Sequence, residues 1–236
     1  MIRLALLAIL ALLATPAAAQ RVDRTPRTVV MTAFPREWDA LVPAVRNTKS
    51  YRINGMTFLM GTMAGKPVVL MQSAVSMVNA AMNTQLVLDR FNVRRIVFSG
   101  IAGGVDPALI ALARKVAAHV MLRRCIDHNA VSPEAGCLAH SPKIVIGGTG
   151  VSAGVFADNA DFRAYLFTAW QARVLDMESG AVAQVAYANR VPVIVFRSLS
   201  DLAGSDAGAN QMNTFMTLAS ANSAMVVKAF VAALPN

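Results

Sequence analysis

The chain has 236 residues, of which 56% are hydrophobic and 15% charged, and it carries a formal charge of +9. Apolar content at that level supplies a large core, and the basic excess is scattered, with only Arg94-Arg95 and Arg123-Arg124 as short pairs. Without a basic run interleaved with aromatics nothing tracks a phosphate backbone, so nucleic acid is not an expected partner.

The opening stretch, "MIRLALLAILALLATPAAAQ", has one cation at Arg3, an apolar run from Leu4 to Ala14, a proline, and small residues at Ala17 and Ala19. That order describes a secretory signal peptide over residues 1–19, cut near Ala19-Gln20. The run is too short for a permanent anchor. The expectation is an exported chain, periplasmic or secreted, whose residues 20–236 form one domain with no linker. No later apolar stretch reads as long enough to span a bilayer, and no stable membrane association is expected.

Strand-like runs alternate with helical ones along this domain, the pattern of an α/β sheet covered on both faces. "RTVVMTA" (27–33) is β-branched and apolar. "TFLMGTMAGKPVVLMQS" (57–73) reads as a hairpin turning near Ala64-Gly65, which gives the sheet an antiparallel portion. Helical spacing in 78–91 predicts a helix. "RRIVFSGIAGG" (94–104) is a buried strand ending on glycines, and 108–123 is a helix by composition, with His119 on its surface. A strand follows at 143–150, a helix at 160–170, a strand at 172–177, a helix at 179–190, a strand at 191–201 and a long amphipathic helix at 212–234.

Cys125 and Cys137 stand in "CIDHNAVSPEAGCLAH" together with His128 and His140. As C-x-x-H repeated, the segment offers four zinc ligands. As the two thiols of an exported chain, it is a disulfide closing a short loop, which is the preferred reading and is worth about 3 kcal/mol by loop closure.

The stretch "VLDMESGAV" (174–182) carries an Asp and a Glu where a buried strand hands over to a helix. Strand, helix, strand with short connections predicts a right-handed crossover and a parallel pair. The strands ending at Met177 and Ser200 would then present neighbouring carboxyl ends, where open α/β sheets bind ligands. Glu178 and Asp201 are expected to face one pocket, and Glu37, beyond the first strand in "TAFPREW", reaches the same rim if that strand runs parallel to them. Taken singly, Asp201 could cap a turn, Glu178 could favour a helix start, and Glu37 could be a surface residue. The glycine turn after the strand from Arg94 lets a flat or anionic ligand approach the backbone closely.

"SGIAGGVDP", "VLDMESGAVAQVAYANRVPVIVFRSLSD" and "TAFPREWDAL" together resemble the purine nucleoside phosphorylase superfamily, in particular its methylthioadenosine/S-adenosylhomocysteine nucleosidase branch. The likeness covers most of the mature chain in order and is strongest over the last seventy or so residues. It implies a three-layer α/β sandwich with a mixed, largely parallel central sheet flanked by helices. It also implies hydrolysis of a purine N-glycosidic bond, with Asp201 as the acid that protonates the base at N7. Glu37 would orient and deprotonate the attacking water, and Glu178 with Met177 would hold the ribose hydroxyls. Ser200 and the turn containing Ile101, Ala102 and Gly103 would line the nucleoside site, and backbone near Val151 and Ser152 would meet the base. The chemistry is coherent, since an oxocarbenium-like transition state needs an acid at the leaving group and a base for water. Ile194, Val195, Phe196 and Leu199 are the expected apolar walls around the acid.

A phosphate nucleophile would need an Arg fork or a glycine nest, and "SAVSMVNAA" (73–81), where the superfamily often has a Gly-rich turn, has neither. Water is therefore the preferred nucleophile, with Arg36 and Arg197 keeping phosphorolysis as the alternative. Relatives of this kind carry a further strand and loop after the glycine turn, whereas "GGVDPAL" runs straight into a helix. The chain thus reads as a shortened relative, which also admits a catalytically impaired purine-binding or storage-like protein. A small-molecule purine nucleoside is the expected partner and a homodimer is admitted. Neither a cofactor nor a metal is implied.

Overall fold

The computed structural model describes residues 21–99, 107–126, 137–201 and 212–235. The expected signal peptide, the turn holding Ile101, Ala102 and Gly103, and His128 lie outside these residues. In chain order the elements are β1 (Asp23–Thr32), α1 (Pro35–Leu41), β2 (Val45–Ile53), β3 (Met56–Met63), β4 (Lys66–Gln72), α2 (Met77–Arg90), β5 (Phe91–Ser99), α3 (Pro107–Ala117), β6 (Thr149–Ser152), α4 (Ala160–Trp170), β7 (Ala172–Asp176), α5 (Ser179–Ala188), β8 (Val193–Phe196) and α6 (Met212–Ala233).

Six strands form one mixed sheet in the order β2-β3-β4-β1-β5-β8. β1 pairs in parallel with β4 and β5, and β5 in parallel with β8, while β3 runs antiparallel to β2 and β4. The β3–β4 hairpin turns at Ala64 and Gly65, both left-handed with φ of 49° and 77°, the backbone a two-residue hairpin of matching twist requires. Side chains alternate across the sheet, as strand geometry dictates. Val29, Met31, Ile96 and Phe98 pack with Ala80 and Val87 of α2 and Ala181, Val182 and Ala186 of α5. Val30, Val97 and Ile194 pack on the other face against Leu109 and Ala113 of α3 and Val227, Phe230 and Val231 of α6. The result is a mixed, largely parallel sheet between two helical layers. Each fully buried side chain of this size contributes on the order of 1.5–3 kcal/mol.

Several expected elements shift. The strand expected over 143–150 forms only at Thr149–Ser152. The helix expected over 108–123 ends at Ala117, leaving His119 exposed in the turn after it. Beyond that turn the Arg123 backbone is held by Asn222 of α6, which accepts from its N–H at 2.8 Å and donates to its carbonyl at 3.0 Å. Those groups are unavailable for another helical turn. α6 contains a 19-residue window, Phe215–Ala233, apolar enough to cross a membrane, but 56% of it is buried against the rest of the protein, which accounts for its apolarity as sheet packing.

The largest departure concerns β7. It was expected to pair with β8 through the α5 crossover, but it pairs in parallel with β6 in a separate two-stranded sheet. β8 is the last strand of the main sheet, and a cavity of about 580 Å³ lies between Ile194, Val195 and Phe196 on one side and Val174 and residues 142–149 on the other. The segment from β5 to α3, where the resemblance leads one to expect a further strand, lies outside the described residues; among those described, the strands do not close up and the sheet is divided.

Cys125 and Cys137 are joined as a disulfide, so their sulfurs bind each other rather than zinc. Around it Leu138 N–H donates to the Arg124 carbonyl at 2.9 Å and Arg124 Nε to the Leu138 carbonyl at 2.7 Å. The bridge spans 12 positions, and a loop of that size is stabilised by about 3 kcal/mol. The expected outcome of replacing both cysteines by serine is a melting temperature lower by roughly 10 °C for a domain of this size, measured by circular dichroism. Equal melting of the two proteins would contradict the assignment of a stabilising clamp.

Candidate active site

Glu37 sits in the first turn of α1, two residues after Pro35, where a carboxylate complements the helix dipole. Its Oε2 accepts the backbone N–H groups of Ala33 and Phe34 at 2.8 and 3.0 Å. These bonds fold the chain back at the end of β1 and fix the carboxylate beyond the strand's carboxyl end. Burial pushes the Glu37 carboxyl above its ordinary value of 4.5, opposed by the positive charge of Arg197 and by the two N–H bonds and reinforced by the negative charge of Glu178.

Glu178 closes the turn between β7 and α5 and is 2% exposed. Its Oε1 accepts the backbone N–H of Ser76 at 2.9 Å and its Oε2 lies 3.4 Å from Arg197 Nη2. Ser76, the N-cap of α2, adopts φ of 93°, a conformation that strains any residue other than glycine. That geometry aims its N–H at Glu178, so this donor at the helix start is already taken. The Arg197 side chain is 4% exposed and its guanidinium lies 4.4 Å from the centroid of the Phe98 ring, a cation–π contact. With Nε and Nη2 both donating to Ser179 Oγ, Arg197 is committed within the protein rather than presented as a phosphate fork.

Asp201 follows β8 and accepts the Ser200 hydroxyl at 2.7 Å. Glu37, Met177, Glu178, Ser200 and Asp201 all line one cavity of about 210 Å³. Phe34, Val155, Phe156, Leu166, Leu199, Met212 and Met216 supply most of its apolar wall. A space of this kind accepts an apolar ring on one side and hydroxyl donors on the other. Its carboxylates offer acceptors for a sugar, a base for water and an acid for a leaving group.

Two expected contacts differ. Val151 and Ser152 are not on the cavity wall; Ser152 Oγ donates to Asp176 and accepts the Gly180 N–H at 2.7 Å, so it ties β6 to the start of α5. The wall is formed a few residues later, by Val155, Phe156 and Ala157. Of the apolar residues expected around Asp201, Leu199 lines this cavity, whereas Ile194, Val195 and Phe196 face the larger one beside β8. Sequence reading left the methionines of α6 out of the site. Their signal was position alone, since α6 begins shortly after Asp201 in the chain.

The fold is nucleoside phosphorylase-like. The 5′-methylthioadenosine/S-adenosylhomocysteine nucleosidase of Helicobacter pylori, solved in complex with a substituted pyrrolidin-3-ol, superposes with a TM-score of 0.72 at 20% identity, covering 90% of this chain and all of that one. The futalosine hydrolase of the same species gives 0.71 at 20% identity, over 89% of this chain and 98% of that one. The chain belongs to the phosphorylase superfamily, whose family model matches residues 27–232. Among curated relatives, the 5′-methylthioadenosine/S-adenosylhomocysteine nucleosidase of Lysinibacillus sphaericus is 28% identical over 88% of this chain and its own full length. That of Mycobacterium bovis is 27% identical over 84% of this chain and 94% of its own.

The geometry predicts how Glu37 titrates. A carbon-detected NMR titration will place its midpoint above 4.5, and the Arg197→Gln variant will move it higher still, because the cation that opposes burial is gone. A midpoint that falls or stays fixed in the variant would remove Arg197 from the electrostatics of the site.

Proposed function

We propose that the protein hydrolyses the N-glycosidic bond of a purine nucleoside of the adenosine or methylthioadenosine type and releases the free base. The observation that carries this reading is the meeting of Glu37, Glu178 and Asp201 on one apolar-walled cavity, in a superfamily member similar to named nucleosidases.

In this reading the purine lies between Phe156, Val155 and the methionines of α6, with N7 toward Asp201, which delivers the proton that makes the base a leaving group. Glu178 accepts from the ribose hydroxyls. Those bonds strengthen as the sugar gains positive charge, so the interaction is worth more in the transition state than in the ground state. Glu37, kept basic by desolvation, takes the proton of the attacking water. The Ser76 N–H at the start of α2 and Arg197 Nε and Nη2 are bonded to Glu178 and Ser179, which supports water rather than phosphate as the nucleophile. Export into the periplasm or medium, where such an enzyme would meet nucleosides outside the cytoplasm, and pairing as a homodimer belong to the same proposal.

Incubation of the mature protein with adenosine, inosine and methylthioadenosine, with and without phosphate, tests it by following base release. Release in phosphate-free buffer is expected, with a loss of roughly 10²–10⁴-fold in Asp201→Asn, the usual contribution of a general acid. The rate should fall as pH drops through a midpoint above 4.5, because Glu37 must be ionised to act and its carboxyl is held above that value. Phosphate-dependent release would point to phosphorolysis, and binding without release to a purine-binding protein.

A further inference from the structure

Of the two carboxylates in the 174–182 stretch, Glu178 has a part in the proposed reaction and Asp176 has none, yet Asp176 is the more heavily bonded. Its side chain is 3% exposed. Oδ1 accepts the Ser152 hydroxyl and the backbone N–H groups of Glu178 and Ser179, the latter two at 3.2 Å each. Oδ2 accepts the Ser179 hydroxyl and lies 3.0 Å from Arg197 Nη2. Closing the turn into α5 requires only the backbone donors. It does not require a guanidinium delivered from the end of β8, and burying an ion pair is costly in desolvation.

Arg197 carries the connection to the site. The nitrogen bonded to Asp176 is the one 3.4 Å from Glu178 Oε2. Ser179 Oγ accepts from its Nε and Nη2 at 3.1 and 2.9 Å, and the Phe98 ring lies against its plane. Glu178 Oε2 is thus held by a long contact and keeps acceptor capacity, while its Oε1 is filled by Ser76. We infer that Asp176 is a positioning residue that draws Arg197 away from full pairing with Glu178, leaving Glu178 able to accept from the substrate and Glu37 to accept from water. This rests on the proposed hydrolysis. With Asp176 neutral, the guanidinium loses its closest anionic partner and closes onto Glu178, where it competes with the sugar hydroxyls. Its charge also acts more fully on Glu37. The charged groups sharing the cavity with Glu37 are Arg197, Asp176, Glu178 and Asp201, with Arg163 of α4 and Arg173 of β7 also on its wall.

The test compares the full mature protein with Asp176→Asn and Asp176→Glu. It measures kcat and KM for base release from methylthioadenosine across pH, with the folded fraction from circular dichroism. Folded Asp176→Asn is expected to lose at least about 30-fold in kcat/KM, with KM raised and the acid limb of the profile moved to lower pH; Asp176→Glu should recover part of the loss. Wild-type kinetics and an unmoved acid limb in folded Asp176→Asn would overturn the inference, as would a loss explained wholly by the unfolded fraction. Should Asp176→Asn fail to fold, Ser179→Ala removes the hydroxyl that bridges Asp176 and Arg197. KM is then expected to rise because the guanidinium is less firmly held, with the acid limb in place because Asp176 keeps its charge, and a wild-type KM would overturn the inference. A wild-type protein that releases no base sinks the hydrolase reading and this inference together, whereas active wild type with unaffected variants sinks this inference alone.

Discussion

One guanidinium, that of Arg197, lies within reach of two buried carboxylates, Asp176 at 3.0 Å and Glu178 at 3.4 Å, and its field extends to a third at Glu37. The arrangement constrains everything around it. A carboxylate removed from water must find donors or take a proton, so each of the three is surrounded by hydrogen-bond donors: Ala33 and Phe34 for Glu37, Ser76 for Glu178, and Ser152, Ser179 and two backbone groups for Asp176. Those donors belong to the end of β1, the start of α2, β6 and the start of α5. The charge cluster therefore ties β6 and the connections beyond the strands to β1, α2 and α5, which already share one apolar core. Buried ion pairs are poor sources of net stability because desolvation offsets attraction. A cluster of this kind is better explained by the acceptors it leaves directed into the cavity.

The same cluster explains why a divided sheet still builds a pocket. β7 has left the main sheet for β6, and an apolar cavity opens beside β8. No ladder bonds join β7 to β8, yet Asp176 at the tip of one and Arg197 just past the other remain bonded. The site lies beyond the strand ends, in the connections, and the connections are held by side chains rather than by strand pairing. At the far edge of this region the disulfide closes its own loop and Asn222 secures Arg123 to α6, the helix whose first turns form the cavity wall.

Much of the fold was legible in the residues. β1, β4 and β5 each carry a continuous apolar stretch, at 29–31, 68–71 and 96–98, because both faces of a parallel sheet are covered, and such stretches advertise themselves. The β3–β4 hairpin was marked by Ala64-Gly65 between two such runs. β2 escaped notice because it is an exposed edge strand rich in Arg, Lys, Asn and Ser, which carries no apolar period. Its one signal was Asn54-Gly55, both left-handed at the β2–β3 turn, the strongest short-range hairpin pair. α1 was hidden by its shortness. Of the strand expected over 143–150 only its end pairs, Thr149 and Gly150 with β7, and a strand exists only where another chain segment offers hydrogen bonds.

The local sequence determined on its own which carboxylates would stand at element ends, since Glu37, Glu178 and Asp201 each follow an apolar run that must be buried and must then emerge. It determined the disulfide partners as well, there being only two cysteines to join. The tertiary structure alone decided that β7 pairs with β6, that Ser152 serves Asp176 rather than the cavity, and that Arg197 lies between acids far apart in the chain. Periodicity and turn chemistry act over a few residues and are written in order along the chain. Strand pairing and the sharing of one buried charge depend on which distant groups arrive first at hydrogen-bonding distance, and no spacing in the sequence encodes that.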